Sequence, residues 1–232
     1  MGRFLRKLPA RVRPGNEGSL DGGLATVEDP AGMASEAYRV LRANLLHALT
    51  DPSPRAILVT SPGPGEGKST VCANLGVVLS QAGKRTLVVD CNLQGPHLHE
   101  IFGTHNSRGL SDALASEGDP GELFQEPLRN LKLMTAGSVP HNPSELLETQ
   151  GFADFLDRSR RDFDHVLIDS SSVLSGSSPP RTSAEPIVLA ARADGVLLVL
   201  NAGRAREGTL RHAVRAIGAV GGNVVGTVLN DA

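Results

Sequence analysis

The apolar positions of the chain follow two alternating patterns. Short uninterrupted apolar runs are typical of strands buried on both faces of a sheet. We predict such strands at residues 56–60, 86–89, 131–134, 165–168, 195–200 and 223–229. Helical segments are predicted between most of them, near residues 69–82, 144–159, 183–192 and 206–218. Strands that alternate with helices predict an α/β fold: a single domain with a mainly parallel, twisted sheet and helices on both faces.

The segment before the first strand has a different composition. Residues 1–33 are rich in Gly, Pro and charged side chains without periodicity, and its first fourteen residues carry five basic side chains and no acid. This predicts a flexible basic arm at residues 1–33 and a folded domain at residues 34–232. A helix is predicted over residues 35–49, with Ser35 as its N-cap. Its apolar residues recur at helical spacing, at Tyr38, Leu41, Leu45 and Leu49.

Composition and charge narrow the class of protein. Aromatic residues make up 3% of the 232 residues and Trp is absent, so the core must be aliphatic. The net charge of −2 is unlike that of a nucleic-acid-binding domain, and we expect no nucleic-acid partner. Two cysteines give no disulfide framework. Without an apolar run of membrane-spanning length or a signal-like start, we expect a cytoplasmic protein that reaches the inner face of the cell membrane through a partner.

The segment after the first strand carries the strongest chemical signal. It begins Ser61-Pro-Gly-Pro-Gly-Glu-Gly-Lys-Ser-Thr and leads into a predicted helix. A strand, a glycine-rich turn, Gly-Lys-Ser and a helix form a phosphate-binding P-loop, in which the lysine reaches the β- and γ-phosphates and the hydroxyl ligates Mg²⁺. A glycine-rich turn containing Lys-Ser by chance would not explain the agreement of all parts. We predict that the nucleotide contacts Gly63, Pro64, Gly65, Glu66, Gly67, Lys68, Ser69 and Thr70.

Polar side chains lie at the ends of three of the predicted strands. Asp90 and Asp169 come directly after strands 86–89 and 165–168, and Asn230 comes after the last strand. Because ligands bind at the carboxyl ends of parallel strands, these side chains are expected beside the P-loop. Asp is also common at strand ends as a helix cap, but two in register with a P-loop favour a metal site. We predict Mg²⁺ ligands at Ser69, Asp90 and Asp169.

These motifs together resemble the cytoplasmic kinase domain of the bacterial tyrosine kinases that control capsule and exopolysaccharide synthesis, within the ParA/MinD-type P-loop ATPases. The resemblance covers about residues 33–231. Its motifs are the P-loop, the segment from Glu36 to Arg42, and residues 136–147, 163–169 and 226–230.

The resemblance implies specific roles. The cofactors are ATP and Mg²⁺, Lys68 and Asp90 are catalytic, with Asp90 as the base, and Asn230 meets the adenine. Glu36, Arg39 and Arg42 mediate ring-like self-association, although the same helix without the resemblance would be an ordinary charged surface helix. The partners are further copies of the chain and a membrane chain-length-determinant protein that activates the kinase.

The chain also departs from the family pattern. The family motif Asp-x-Asp-Leu-Arg is Asp90-Cys-Asn-Leu-Gln here, so one carboxylate is an amide and the Arg is Gln94. The motif Asp-Thr-Pro-Pro is Asp169-Ser-Ser-Ser, within a low-complexity loop at residues 170–183. The tyrosine-rich tail of the family is not found, and with Tyr38 as the single tyrosine we expect only that residue to be open to tyrosine modification.

Three hypotheses arise for the function. The first is a kinase that transfers the γ-phosphoryl group of ATP to a protein tyrosine on a partner. The second is a catalytically weakened, ATP-dependent oligomerisation switch of the same export system, which Asn92, Gln94 and the absent tail favour. The third and weaker hypothesis is a ParA/MinD-like ATPase. Gly63 argues against it, because this residue occupies the position where that class has its signature lysine.

Overall fold

Eight strands form one sheet in the computed structural model, which describes residues 7–12, 23–48, 56–116, 118–177 and 181–230. In chain order the strands are β1 (Lys7–Val12), β2 (Ala56–Thr60), β3 (Thr86–Asp90), β4 (Gln125–Leu128), β5 (Leu131–Met134), β6 (His165–Asp169), β7 (Gly195–Asn201) and β8 (Val224–Asn230). Their order in space is β1-β8-β7-β2-β6-β3-β5-β4. All pairs are parallel except β4 with β5.

Helices cover both faces of the sheet. They are α1 (Ala25–Glu28), α2 (Met33–Ala48), α3 (Lys68–Gln81), α4 (Leu98–Phe102), α5 (Leu110–Ala115), α6 (Pro143–Glu148), α7 (Gln150–Asp162), α8 (Ala184–Arg192) and α9 (Glu207–Ala219), with a 3-10 turn at Pro120–Leu123. The predicted α/β class is therefore confirmed. In the described part of the chain, no helix combines the length and the apolar character needed to cross a bilayer.

The central strand β2 shows how the core is divided. Successive side chains of a strand point to opposite faces of the sheet. Ala56 and Leu58 pack in one apolar cluster with residues of α5 to α9, whereas Ile57 and Val59 pack in the other with residues of α2, α3 and α4. Burial on both faces explains the uninterrupted apolar run in the sequence.

Two elements lie where an arm without regular structure was predicted. Strand β1 pairs in parallel with β8 at the edge of the sheet, and α1 precedes α2. The prediction of an arm without regular structure over residues 1–33 is therefore corrected at β1 and α1. Strand β1 forms because the free edge of β8 offers backbone groups with which a short segment without an apolar run can pair. Pro9 is tolerated in β1 because an edge strand needs hydrogen bonds on only one side.

Helix α2 begins two residues earlier than predicted, so Ser35 is not its N-cap. The Ser35 hydroxyl lies inside the helix and donates to the carbonyls of Ala25 (3.1 Å) and Asp29 (2.6 Å), which fastens α1 to α2. The predicted apolar face is confirmed at Tyr38, Leu41 and Leu45, which are buried. Leu49 lies outside the described residues, as do residues 178–180 of the predicted loop at residues 170–183.

The long helix predicted over residues 144–159 is two helices, α6 and α7, which meet at Thr149. The Thr149 hydroxyl accepts a hydrogen bond from the N–H of Phe152 and so caps α7. Strand β4 and the short helices α4 and α5 have no counterpart in the prediction. A helix of five or six residues is too short to show helical periodicity in its sequence.

Candidate functional site

The P-loop connects β2 to α3, and two of its glycines have a left-handed backbone. Gly65 has φ of +69° and Gly67 has φ of +84°, where a side chain would be strained. A Cβ atom at Gly67 would also lie 2.0 Å from Nδ2 of Asn230. The loop therefore needs glycine at this position for its backbone and for the close approach of β8.

Glu66 holds the P-loop in place through three hydrogen bonds. One of its carboxylate oxygens accepts from the N–H of Gly63 at 2.8 Å, and the other from the N–H of Asn201 at 2.9 Å. Its own carbonyl accepts from Nδ2 of Asn230 at 3.1 Å. The residue is 6% exposed. The carboxylate of Glu66 thus serves the loop's shape, and its predicted contact with nucleotide stays a prediction.

Asp90 and Asp169 lie opposite each other on β3 and β6, as expected from their positions at the strand ends. Both are fully buried. Oδ2 of Asp169 accepts the Ser69 hydroxyl at 2.6 Å, whereas its Oδ1 is buried with no hydrogen-bond partner among the described residues. A free carboxylate oxygen beside a P-loop hydroxyl is a donor set that suits Mg²⁺, so the residues fit the expected metal.

Asp90 is held by backbone N–H groups on both of its oxygens. Oδ1 accepts from Asn92 at 3.1 Å, and Oδ2 accepts from His97 at 3.1 Å and Leu98 at 3.0 Å, at the start of α4. These bonds fix the carboxylate and leave it about one further acceptor site of the four that two oxygens offer. A water or a single proton donor is what such a carboxylate can still accept.

Burial changes the ionisation of the charged groups at the site. Burial and the nearby charge of Asp169 raise the pKa of Asp90 to about 7, against the opposing effect of its backbone hydrogen bonds. Burial also raises the pKa of Asp169 to about 6, although Ser69 and Lys68 counteract it. The pKa of Lys68 is lowered by burial, and the charges of Asp169 and Glu66 oppose that shift. Two buried acids that face each other cannot both ionise easily without a cation.

The residues that depart from the family pattern have partners within the protein. Nδ2 of Asn92 donates to the carbonyl of Gly95. Nε2 of Gln94 donates to Oε1 of Glu185 at 3.0 Å, and the Ser171 hydroxyl donates to Oε2 of the same carboxylate at 2.9 Å. Glu185 is 5% exposed and links the loops that come after β3 and β6. Nothing in the sequence pattern marked the contact between Gln94 and Glu185, because the two residues are 91 positions apart.

The three charged residues predicted for self-association have different surroundings. Glu36 and Arg39 form an ion pair of 3.0 Å on the surface of α2. Arg42 instead donates to the carbonyl of Val78 on α3 at 2.6 Å. The helix therefore presents Glu36 and Arg39 outward, while Arg42 contributes to the packing of α2 on α3.

Tyr38 was expected to be the tyrosine open to modification, and the structure corrects this. Its side chain is 1% exposed in the core between α2 and the sheet, and burial raises its pKa. A phosphoryl group cannot reach a hydroxyl in that position while the chain stays folded.

Sequence reasoning missed two residues of the loop after β7. Asn201 ends β7 beside Asn230 of β8, and Arg204 lies three residues further on. Asp90 and Asp169 were found by inspecting the polar residue at the carboxyl end of each strand. The same rule would also have found Asn201.

A buried strand, a Gly-Lys-Ser loop on a helix and two carboxylates on neighbouring strands define the P-loop class of nucleotide-binding proteins. The family model described as the CobQ/CobB/MinD/ParA nucleotide binding domain matches residues 57–232. The chain is 30% identical over 217 residues to "Tyrosine-protein kinase YwqD" of Bacillus subtilis (strain 168), which covers 93% of this chain and 89% of that protein. The chain therefore belongs to the bacterial tyrosine-protein kinase family within these nucleotide-binding domains.

Further comparisons agree with this assignment and confirm the resemblance. The chain is 35% identical over 202 residues to "Putative tyrosine-protein kinase EpsB" of Ralstonia solanacearum, which covers 87% of this chain but only 26% of that protein. It superposes on the chimerical protein CapA2B2 with a TM-score of 0.87 and 30% identity, covering 98% of this chain and 95% of the other. The septum site-determining protein MinD complexed with Mg-ADP from Pyrococcus horikoshii OT3 has a TM-score of 0.62 at 22% identity, covering 76% and 70% of the two chains, and shares the fold.

Proposed function

We propose that the chain binds Mg-ATP and transfers the γ-phosphoryl group to a tyrosine of a partner protein, in a system that makes or exports capsular or other extracellular polysaccharide. The observation that carries the proposal is the 2.6 Å hydrogen bond from Ser69 to Asp169, whose second oxygen is buried without a partner in the described part of the chain. Kinship with tyrosine-protein kinases supports the choice of acceptor.

Each charged residue at the site has a proposed role. Ser69 and Asp169 would hold Mg²⁺, and the ion would offset the charge that develops on the phosphate oxygens. Lys68 would bind the β- and γ-phosphates. Asp90, fixed by three backbone N–H groups, would accept the proton of the attacking tyrosine hydroxyl. Its raised pKa, about 7, is suited to a base that works near neutral pH.

The acceptor tyrosine is proposed to lie on another chain, because Tyr38 is buried. We further propose that a membrane chain-length-determinant protein activates the chain and brings it to the inner face of the membrane. Self-association through the exposed Glu36 and Arg39 pair of α2 completes this proposal.

A matched pair of lysine variants tests the kinase proposal. The purified chain is incubated with its candidate membrane partner and Mg-ATP, and phosphotyrosine is mapped by mass spectrometry. Lys68→Met should abolish the signal, whereas Lys84→Met, at an exposed position just past the end of α3, should leave it unchanged. Phosphotyrosine that persists in Lys68→Met would refute the proposal.

A second candidate is a nucleotide-gated switch that does not phosphorylate its partner. The observation in its favour is that Asn92, which replaces a family carboxylate, donates to the carbonyl of Gly95. Sedimentation velocity with and without Mg-ATP tests it. An ATP-dependent change of oligomeric state with no phosphotyrosine on any partner supports the switch, and phosphotyrosine formation excludes it.

A further inference from the structure

The loop after β7 places an arginine against the P-loop. Nη1 of Arg204 lies 3.0 Å from the position that a Cβ atom of Gly65 would occupy. Gly65 has φ of +69°, so a larger residue is disfavoured there and the space above the loop stays available to the guanidinium. The contact joins residues that are far apart in the chain.

The backbone of this loop is fixed at its base. The N–H of Gly203 donates to Oδ1 of Asn201 at 2.9 Å, and the N–H groups of Arg204 and Ala205 donate to the carbonyl of Asn201 at 3.1 and 2.8 Å. The N–H of Asn201 in turn donates to the carboxylate of Glu66. The loop and the P-loop are therefore fastened to each other, and the position of Arg204 depends on that of the phosphate-binding backbone.

The charges around the P-loop favour a further cation. Three buried carboxylates, of Glu66, Asp90 and Asp169, lie at or beside a loop whose own motif supplies the single cation Lys68. A nucleoside triphosphate adds several negative charges, of which one Mg²⁺ offsets two. Within the described ranges, no carboxylate forms an ion pair with the Arg204 guanidinium.

We propose that Arg204 is a nucleotide-binding residue whose guanidinium contacts the phosphate chain of the bound nucleotide from the β7 side of the P-loop. The inference rests on the proposed function and deepens it. Phosphate is the favoured contact because the adjoining loop cradles phosphate oxygens, and a guanidinium forms forked, charge-assisted hydrogen bonds with them. The carboxylates of Asp90 and Asp169 lie on the opposite side of the loop, where β3 and β6 end.

The test compares two arginines of the same loop and two ligands. Binding of ATP and of tripolyphosphate, which lacks base and sugar, is measured by competition with a fluorescent ADP. Arg204→Ala should weaken both ligands by about 10-fold, the amount expected for one charge-assisted hydrogen bond. Arg204→Lys should recover part of the loss, and Arg206→Ala should stay within about 2-fold of wild type. The thermal unfolding midpoint of each variant reports on folding.

The outcomes separate this inference from the function on which it rests. Weaker binding of ATP with unchanged binding of tripolyphosphate would mean a contact with the base or the sugar, and unchanged binding of both would mean a surface arginine. Either result overturns the inference while nucleotide binding stands. If the wild-type chain binds neither ligand, the proposed function fails and the inference fails with it.

Discussion

The two sides of the P-loop are built from different chemistry. On one side, β6 and β3 end in Asp169 and Asp90, which are buried and whose pKa values are raised. On the other side, β7 and β8 end in Asn201 and Asn230, whose backbone and side-chain amides hold the loop through Glu66. The carboxylate side offers acidic oxygens that suit a metal ion, whereas the asparagine side keeps the loop in shape. Damage to either side should therefore produce a different defect.

The largest effect is expected on the carboxylate side, from Asp169→Asn. An amide still accepts the Ser69 hydroxyl but has no charge for the metal, so phosphotransfer should fall by about 100-fold while metal-free ADP affinity changes little. Initial rates of phosphotyrosine formation and metal-free ADP titrations measure the two quantities. Asp164→Asn is the control, since Asp164 pairs with Arg85 at the surface near the opposite end of β6. Equal loss in both variants would contradict the assignment.

On the asparagine side, Gly67→Ala should chiefly impair stability and nucleotide affinity. The new Cβ would displace Asn230, from whose Nδ2 it would lie 2.0 Å, and would also strain the backbone. Strain alone costs about 1 to 2 kcal/mol, and overpacking adds about 1 to 3 kcal/mol. Gly83→Ala is the matched control, because Gly83 has a similar φ of +78° but nothing near its added Cβ. Urea unfolding measures the stability of both variants, and equal losses of stability would show that the contact with Asn230 is unimportant.

The pH dependence of the free energy of unfolding distinguishes the carboxylate side of the P-loop from its asparagine side, without a change of ligand. The pKa of Asp90 rises on folding from 3.8 to about 7, so the folded chain holds its proton more tightly than the unfolded chain. The free energy of unfolding should therefore fall as the pH rises from about 4 to about 7. Asp90→Asn should reduce this dependence, chiefly between about pH 6 and pH 7, because Asp169, whose pKa burial raises to about 6, still titrates below that range. Asn230→Ala should lower stability by a similar amount at each pH, because an amide does not titrate. Urea unfolding across this pH range measures the slope, and an unchanged slope between about pH 6 and pH 7 in Asp90→Asn would contradict the role given to Asp90.

The smallest effect is expected from Asn92→Asp, which restores a carboxylate near Asp90. An added charge that helps to hold the metal should raise phosphotransfer by a few-fold, while loss of the hydrogen bond to Gly95 lowers stability by about 1 kcal/mol. Asn92→Ala loses the same hydrogen bond without adding charge and should not raise the rate. Steady-state rates at saturating Mg-ATP compare them. No gain in Asn92→Asp would mean that this position does not limit transfer.

The parts of the fold that sequence predicted are those where burial leaves a simple pattern. Strands buried on both faces, such as β2, are continuous apolar runs, and all six predicted strands are present. Strand β4 was missed because it is short, contains Pro127 and is only partly buried at the antiparallel edge. Strand β1 was missed because its pairing depends on the exposed edge of β8, which no local pattern records.

The same distinction applies to the site. The positions of Lys68, Ser69 and Asp169 beside one another could be predicted, because the P-loop is a local motif and the end of a strand fixes where a side chain lies. The carboxylate contacts of Glu66 and Glu185 could not, since their partners come from loops that the fold alone brings together. Buried polar side chains need partners, but sequence does not say which partners they find.

The hydrogen bonds of Glu66 have a consequence for biosynthesis. The P-loop is translated before the groups that hold it, because the N–H of Asn201 and the amide of Asn230 come 135 and 164 residues after Glu66. A ribosome must therefore deliver β8 before the loop acquires its final shape. Nascent chains should gain resistance to protease from ATP only after that strand has emerged, so the synthesis of β8 decides when the protein first responds to nucleotide.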